Sequence, residues 1–301
     1  MALLLICFLW ALNSLRADLL PRFSSGNAVH LGLQAVVLAV FAAVAGGVAV
    51  ARRTRLPSGR QIGALALVGL GLFVVPTVMI YLAREWVSDS TRVAVFSLTP
   101  VFAVVLEPHI GRGADSPHRG GLIAALVAVL GTLCVFPLDL PQSVQAGAAF
   151  CGVVLAVAFV AAANCLGVLI ATDLPDESLT GFAALISGFS AVGLALASLF
   201  VSYPDWSLGE MLPELGWSMG TGVPALALLF WLMPRISATR MTTRFVLAPL
   251  IANLFALLFL RPVVGFRAGL GLVLIAFGAG WLLFAQGAEP QNADSNLQLG
   301  L

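Results

Sequence analysis

The chain has 301 residues, of which 60% are hydrophobic and only 10% are charged, and its mean hydropathy is +1.03. A soluble domain carries about 25% charged residues, so this composition indicates an integral membrane protein. The net charge is +1 and every basic residue apart from the histidines is an arginine, which argues against nucleic acid as a partner and excludes a P-loop or a lysine Schiff base.

The chain divides into ten apolar runs that are separated by short polar or charged segments. A membrane-spanning helix needs roughly 20 residues at a rise of about 1.5 Å each, and most runs approach this length. We therefore predict ten transmembrane helices, at residues 2–20, 31–51, 62–83, 93–106, 120–137, 146–172, 179–203, 215–234, 245–260 and 268–286. The first run is interpreted as a helix and not as a signal peptide, because no basic residue precedes it and no A-x-A site follows it. Residues 288–301 are polar and are expected to form a disordered tail.

The distribution of arginines predicts the orientation. Arginines are more frequent in the loops on the side of the predicted N-terminus, above all in ARRTRLPSGR, residues 51–60. The positive-inside rule then places the N- and C-termini in the cytoplasm. Because an arginine-only composition rich in Ala, Gly and Leu suggests a GC-rich bacterial genome, the expected location is the inner (cytoplasmic) membrane.

The second half of the chain repeats features of the first half when the sequence is shifted by 149 residues. The coinciding residues are Pro100 with Pro249, Ser88 with Ser237, and Gly32, Gly71, Gly120 and Gly131 with Gly181, Gly220, Gly269 and Gly280. Five spans in each half would give the halves opposite orientations, which is the plan of many secondary transporters. The predicted fold is an all-α integral membrane protein with ten transmembrane helices as two inverted five-helix repeats, 1–140 and 141–287.

The two matched prolines lie in short predicted spans, because charged residues bound both runs. The run 93–106 has 14 residues and the run 245–260 has 16, whereas the hydrocarbon core is about 30 Å thick. Pro100 and Pro249 can each bend or hinge a helix. Short, proline-interrupted spans at matching positions indicate a transporter binding site, although kinks that merely shape the packing are the alternative.

Four segments carry recognisable motifs. They are FLWALNS with its Trp-x-x-Asn opening, YLAREWVSDSTRVAVFSLTPVFAVVL, FWLMPRISATRMTTRFVLAPLIANL and RPVVGFRAGLGLVLIAFGAG. In these motifs the chain resembles the drug/metabolite transporter superfamily, EamA-like branch, over residues 2–286. The resemblance implies a metabolite carrier but does not indicate its substrate.

The chain departs from the pattern of that family at two places. The family has a glutamate after the fourth helix of each half, whereas here Arg261 takes the second position, and Glu107 precedes the first, near Arg112. The family also has an arginine near the start of the second helix, where this chain offers only His30 and Gln34. Both bind anions less well than arginine does. The sequence therefore does not favour a substrate whose carboxylate or phosphate is held near the start of the second helix.

Polar side chains inside the apolar runs are costly in lipid and are expected to face the interior. The candidates for substrate binding are Trp10, Asn13, Gln34, Tyr81, Thr99, Asn164, Ser187, Ser190 and Asn253, with Ser14, Ser97, Ser218 and Thr221 as further polar groups of this kind. Each class has an alternative role. The asparagines can join helices, the hydroxyls can bond their own helix backbone, and the aromatic residues can lie at the membrane interface.

The titratable residues indicate no cofactor and no metal. The three histidines lie near the ends of runs, and none of the four cysteines forms a CxxC pair. The carboxylates also lie near the ends of runs, which favours a facilitator or exchanger over a proton-coupled carrier, with Asp18 as the possible exception.

The sequence therefore predicts a secondary transporter and no enzyme activity. We expect it to export a small, largely uncharged or zwitterionic metabolite such as an amino acid, by alternating access between the two halves. The expected partners are the small-molecule substrate and the lipid bilayer, with a monomer or homodimer and no nucleic acid. The alternatives are an intramembrane enzyme, which needs a nucleophile–base pair or metal cluster at membrane depth, and a non-transporting scaffold or sensor.

Overall fold

The computed structural model describes residues 1–19, 31–54, 59–110, 119–201, 208–261 and 265–284, and all the regular structure within these ranges is helical. The predicted tail at 288–301 and the residues His30 and Arg112 lie outside the described residues, as does the side chain of Asp18.

The described ranges contain thirteen α-helices. They are α1 (Ala2–Leu19), α2 (Leu31–Ala51), α3 (Gly59–Gly69), α4 (Val75–Ala83), α5 (Asp89–Phe96), α6 (Thr99–Ile110), α7 (Arg119–Val135), α8 (Val144–Thr172), α9 (Leu179–Ser198), α10 (Leu208–Leu232), α11 (Ala238–Thr242), α12 (Arg244–Phe259) and α13 (Phe266–Phe284). A π-helical turn, Leu70–Val74, joins α3 to α4, and a short 3₁₀ turn, Asp176–Ser178, precedes α9.

Eight stretches of the described chain are long and apolar enough to cross a membrane, and two shorter apolar helices occur at 2–14 and 119–135. Each of these ten stretches coincides with one of the apolar runs of the sequence. By length and composition, the described chain is a multi-pass helical membrane protein.

The two proline-bearing spans are longer than the sequence predicted. Asp89–Ile110 and Ala238–Phe259 have 22 residues each. Arg92 lies inside α5, and Arg244 is the first residue of α12 but is preceded by α11, so neither arginine marks the end of its span. The prediction that these spans are short is therefore wrong.

Both spans are nevertheless interrupted. The first breaks at Ser97–Leu98, between α5 and α6, and the second at Thr243, between α11 and α12. Pro100 is the second residue of α6, where its missing N–H removes no helical hydrogen bond. Pro249 lies within α12, and so it follows the break and does not form it.

Helices from distant parts of the sequence pack in pairs, α2 along α9 and α7 along α13. The second pair packs closely through glycine. A Cβ atom on Gly131 would lie 2.6 Å from the backbone nitrogen of Ile275, and one on Gly278 would lie 2.6 Å from that of Ala128. These positions permit only glycine if the helices are to stay at this separation.

The centre of the bundle is built around α1 and α8. α1 packs against α10 and α12, and α8 packs against α4 and α6. Many large apolar side chains on the outer faces, such as Leu130, Val273 and Phe277, are exposed, as expected of surfaces that contact lipid. The polar groups described below lie between the central helices.

Candidate functional site

A cavity of about 640 Å³ lies between α1, α4, α5, α12 and the end of α7. It is lined by Trp10, Asn13, Ser14, Ile80, Arg92, Val93, Phe96, Phe136, Arg244, Phe245, Ala248, Pro249, Ala252, Asn253 and Ala256. The lining combines aromatic rings, small apolar residues, amides and two arginines, and it contains no carboxylate among the residues that the structure describes.

A smaller cavity of about 230 Å³ adjoins the first and shares Trp10 and Asn13 with it. Its other walls come from α2, α4, α9, α10 and the π-helical turn, through Gln34, Val37, Leu38, Phe73, Thr77, Leu194, Ser218, Thr221, Gly222 and Leu226. This lining has no arginine, and its polar groups are amides and hydroxyls. The larger cavity therefore offers charge, and the smaller one offers neutral hydrogen-bonding groups.

The Arg244 guanidinium is the most buried charged group in the wall of the larger cavity. The residue is 2% exposed. Its Nη1 donates to the carbonyl oxygen of Met241 at 2.8 Å and its Nη2 donates to Oδ1 of Asn164 at 3.0 Å. Its Nε is buried and has no hydrogen-bond partner among the described residues. The side chain is thus held at two nitrogens and still has unused donors.

Aromatic rings surround this guanidinium. Its Cζ lies 5.4 Å from the ring centroid of Trp10 and 4.8 Å from that of Phe245, within the range of cation–π attraction. Trp10 and Phe245 are 5.8 Å apart, and Phe96 lies 6.0 Å from Phe245. The rings provide an apolar surface beside the charge.

Arg92 is arranged differently, although it lines the same cavity. It forms an ion pair with Asp89 one turn earlier, and its Nη1 donates to the carbonyl oxygen of Ile80 at 3.3 Å. Its side chain is 15% exposed. The charge of Arg92 is therefore compensated by a carboxylate, whereas none of the described carboxylates is within ion-pair distance of Arg244.

Arg244 follows the short helix α11, whose start the sequence encodes locally. Ser237 Oγ accepts a hydrogen bond from the Arg240 backbone nitrogen at 3.3 Å and caps α11. The carboxylate of Glu107, at the far end of α6, accepts from the backbone nitrogens of Ala238 and Thr239 at 3.0 and 3.2 Å. It also accepts from the Thr239 hydroxyl at 2.5 Å.

The Glu107 contact joins α6 to α11 at one end of the bundle. Thr239 and Ala238 are buried and Glu107 is half-buried, so the donors of this contact are shielded from solvent. The cavities lie toward the opposite end, where α4 ends and α5 begins, as the lining by Ile80 and Arg92 indicates.

The structure brings several of the candidate residues together. Trp10, Asn13, Gln34 and Asn253 line the two cavities, as does Pro249, one of the two candidate hinges. The Asn253 amide nitrogen donates to the carbonyl oxygen of Pro249 at 2.8 Å. Asn164 is fully buried behind the wall, where its amide nitrogen donates to Val160 at 2.7 Å and its oxygen holds Arg244.

The remaining candidates do not line either cavity, and they are Tyr81, Thr99, Ser187, Ser190 and the hinge candidate Pro100. The hydroxyl of Thr99 donates to the Phe96 carbonyl at 2.6 Å, and that of Ser190 to the Ile186 carbonyl at 2.7 Å. In both residues the hydroxyl bonds the backbone of its own span, which is the alternative role that the sequence left open for hydroxyl groups.

The other candidates outside the cavities are also buried. The Ser187 hydroxyl is buried and makes no hydrogen bond among the described residues. The buried Tyr81 ring lies 4.0 Å below the Arg84 guanidinium, at the end of α4.

Sequence reasoning missed Arg92 and Arg244 as cavity residues, together with Thr77 and the phenylalanines Phe96, Phe136 and Phe245. A signal for the arginines was present. Ser88 and Ser237 match under the shift of 149 residues, and a capping serine marks a helix start. Arg92 and Arg244 come four and seven residues after these serines, so both lie beyond the start of their span: Arg92 within α5, and Arg244 at the first residue of α12, after α11.

The described residues contain no group of three or more His, Cys, Asp and Glu side chains that could hold a metal ion. The donors that converge on the cavities are those of arginine, amides and hydroxyls, which suit an organic ligand with hydrogen-bonding groups.

Comparisons with known proteins are informative about the fold alone. No protein-family model matches the chain, and no curated protein matches it. The fold is similar to that of a solved structure described only as "Crystal structure of protein", with a TM-score of 0.73 and 16% sequence identity. The similarity covers 94% of this chain and 97% of the other chain. The helical arrangement is therefore shared over nearly the whole length.

Proposed function

We propose that the protein is a secondary transporter of a small metabolite such as an amino acid, with export as its direction and alternating access as its mechanism. The observation that carries the proposal is the pair of adjoining cavities lined by charged, amide and hydroxyl groups inside an apolar helical bundle. Such groups are costly in a membrane protein unless they serve a ligand or one another. Arg244 favours a substrate with a carboxylate, and hence the zwitterion over the uncharged metabolite.

The proposal includes ten spans in the inner membrane, with both termini in the cytoplasm and two inverted halves at 1–140 and 141–287. The packing supports two related halves. α2 with α9 pairs the second span with the seventh, and α7 with α13 pairs the fifth with the tenth. α1 contacts α12 as α8 contacts α6, so each contact recurs when the halves are exchanged.

The two ends of the bundle differ in the way that alternating access requires. The cavities lie toward the end at which α5 begins, and at the other end the Glu107 contact ties α6 to α11, which we propose to be the closed end. In a carrier, the second state would open the Glu107 end and close the cavities.

The test is counterflow of a radiolabelled solute into proteoliposomes that contain the purified protein, with leucine and phenylalanine as the first probes. Ala252 lines the larger cavity, and Ala252→Phe should obstruct it. Val273→Phe is the matched control, because Val273 is 66% exposed on an outer face. We expect counterflow in the wild type and in Val273→Phe, and its loss in Ala252→Phe.

Two results would contradict the proposal. Wild-type uptake no higher than that of protein-free liposomes across an amino-acid panel would favour a scaffold or sensor. A chemically altered solute, detected by mass spectrometry of the liposome contents, would favour an intramembrane enzyme.

A further inference from the structure

We infer that Arg244 is the anchor for a substrate carboxylate, and that the larger cavity takes a monocarboxylate whose body is apolar or aromatic. This inference rests on the proposed function, since it names the substrate class of the same site. It goes beyond the expectation from the sequence, which offered only His30 and Gln34 in place of an arginine near the start of the second helix and so did not favour a carboxylate or phosphate held there.

The burial of an uncompensated cation is the first argument. Arg244 is 2% exposed, and its partners among the described residues are the neutral oxygens of Met241 and Asn164. A buried charge is costly unless an opposite charge or several hydrogen bonds compensate it. An anionic ligand in the adjoining cavity would supply the missing charge.

The geometry of the guanidinium is the second argument. Arginine has five N–H donors in a planar fork, and two of its nitrogens each donate one bond to the protein. The Nε–H and one further N–H on each terminal nitrogen remain, and the Nε of Arg244 is buried without a partner. Two adjacent donors of this fork match the two oxygens of a carboxylate.

The other lining residues indicate what the rest of the ligand is like. Trp10, Phe96 and Phe245 form a connected group of rings beside Arg244, and Ala248 and Ala252 leave space along α12. A volume of about 640 Å³ is sufficient for a ligand the size of an aromatic amino acid.

The charge balance favours a monoanion over a phosphate ester. Asp89 already compensates Arg92, so one uncompensated guanidinium remains among the described lining residues. The lining also has no described carboxylate for an ammonium group, for which the amide oxygens of Asn13 and Asn253 are available. An amino acid and the same acid without its amino group share the carboxylate chemistry, and the experiment separates them.

The experiment measures thermal unfolding of the purified full-length protein in detergent with four matched ligands. They are phenylalanine, 3-phenylpropanoate, 3-phenylpropanamide and 2-phenylethylamine. Only a ligand that binds the folded state raises the unfolding temperature. We expect both carboxylates to raise it in a concentration-dependent manner and the amide and amine to leave it unchanged. The larger of the two carboxylate shifts identifies whether the amino group contributes.

Two variants test the anchor directly. Arg244→Gln should lower the affinity for the carboxylates by about 30-fold or more, because it removes the charged partner of a buried anion. Arg244→Lys should recover only part of the affinity, since it keeps the charge and loses the fork. Arg235→Gln is the control, because Arg235 pairs with the exposed Asp176 outside the cavities, and it should bind like the wild type.

Equal stabilisation by the amide or the amine, or by none of the four ligands, would overturn the inference. The four ligands on the wild-type protein show whether a carboxylate is required, even if Arg244→Gln fails to fold. Counterflow of another solute without carboxylate binding would leave the transporter standing and reject the anchor. Carboxylate binding without any counterflow would support Arg244 as the anchor and reject the transporter.

Discussion

The helix starts of α5 and α11 share a local design and differ in their surroundings. Ser88 and Ser237, 149 residues apart in the sequence, cap them with the same geometry. Each hydroxyl oxygen accepts a bond of 3.3 Å from a backbone nitrogen three residues later, that of Thr91 or Arg240. Each capped helix is followed by a break and then by a helix that contains a matched proline.

The two starts lie at opposite ends of the bundle and meet different carboxylates. At α11, the half-buried Glu107 accepts two backbone bonds from a helix that lies 131 residues or more away in sequence. At α5, the exposed Asp139 accepts from the hydroxyls of Ser88 and Thr91 at 2.5 and 3.5 Å. One sequence signal, a capping serine, thus forms either a sealed contact or a solvent-exposed one, according to the neighbouring helices.

The largest expected effect comes from removing the sealed contact. Glu107→Ala leaves the buried donors of Ala238 and Thr239 without their charged acceptor, and we expect it to lower the free energy of unfolding by about 3 kcal/mol. Unfolding in mixed detergent micelles measures this, with the exposed Glu177→Ala as the control. A loss no larger than that of the control would show that the Glu107 end is not sealed.

The apolar runs predicted the helices well, because a lipid environment requires every backbone group to be satisfied within helices. The same reasoning placed the starts of two spans too late: it began the first inside α5, and it omitted α11 from the second. Charged residues were treated as span ends, whereas Arg92 bonds Asp89 and Ile80, and Arg244 bonds Asn164 across the bundle. These partners make a charge tolerable at depth, and a single sequence does not show those that come from other helices, Ile80 and Asn164.

The site was predictable in part. The cost of amides in lipid indicated Asn13, Gln34 and Asn253, which do lie at the cavities. It could not distinguish them from Thr99 or Ser190, whose hydroxyls are satisfied by their own helices. Which way a mostly apolar helix turns its few polar groups depends on how it packs, and the sequence pattern is too weak to decide it.

The arginines that follow the two helix starts should act independently of each other. Asn164→Leu removes the side-chain oxygen that accepts from Arg244. Because a hydrogen bond to a charged group is lost, we expect stability to fall by about 2 kcal/mol. Arg92 makes no bond to Asn164 in the structure, so the double variant Asn164→Leu with Arg92→Gln should show additive losses. A strong coupling between these two substitutions would contradict the separate roles of the arginines.

The third prediction concerns the matched caps themselves. Ser88→Ala and Ser237→Ala should each lower stability by about 1 kcal/mol, because each removes one side-chain acceptor at a helix start. Denaturation of the two variants under identical conditions gives the values. Replacement of either serine by Asp or Asn should recover most of the lost stability, since both residues also cap helices. A loss of stability at only one of the two positions would show that the two serines are not equivalent caps.

The smallest effect is expected at the exposed carboxylate. Asp139→Ala removes the acceptor of the Ser88 and Thr91 hydroxyls, but water can replace it because Asp139 is exposed. We expect a loss of stability of about 0.5 kcal/mol, well below that of Glu107→Ala, in the same micelle unfolding measurement. High salt should leave the difference between the two variants largely intact, because the Glu107 contact is made to buried backbone donors and is little screened. If Asp139→Ala were instead as costly as Glu107→Ala, both ends of the bundle would be sealed, and the cavities would have no open side in this state.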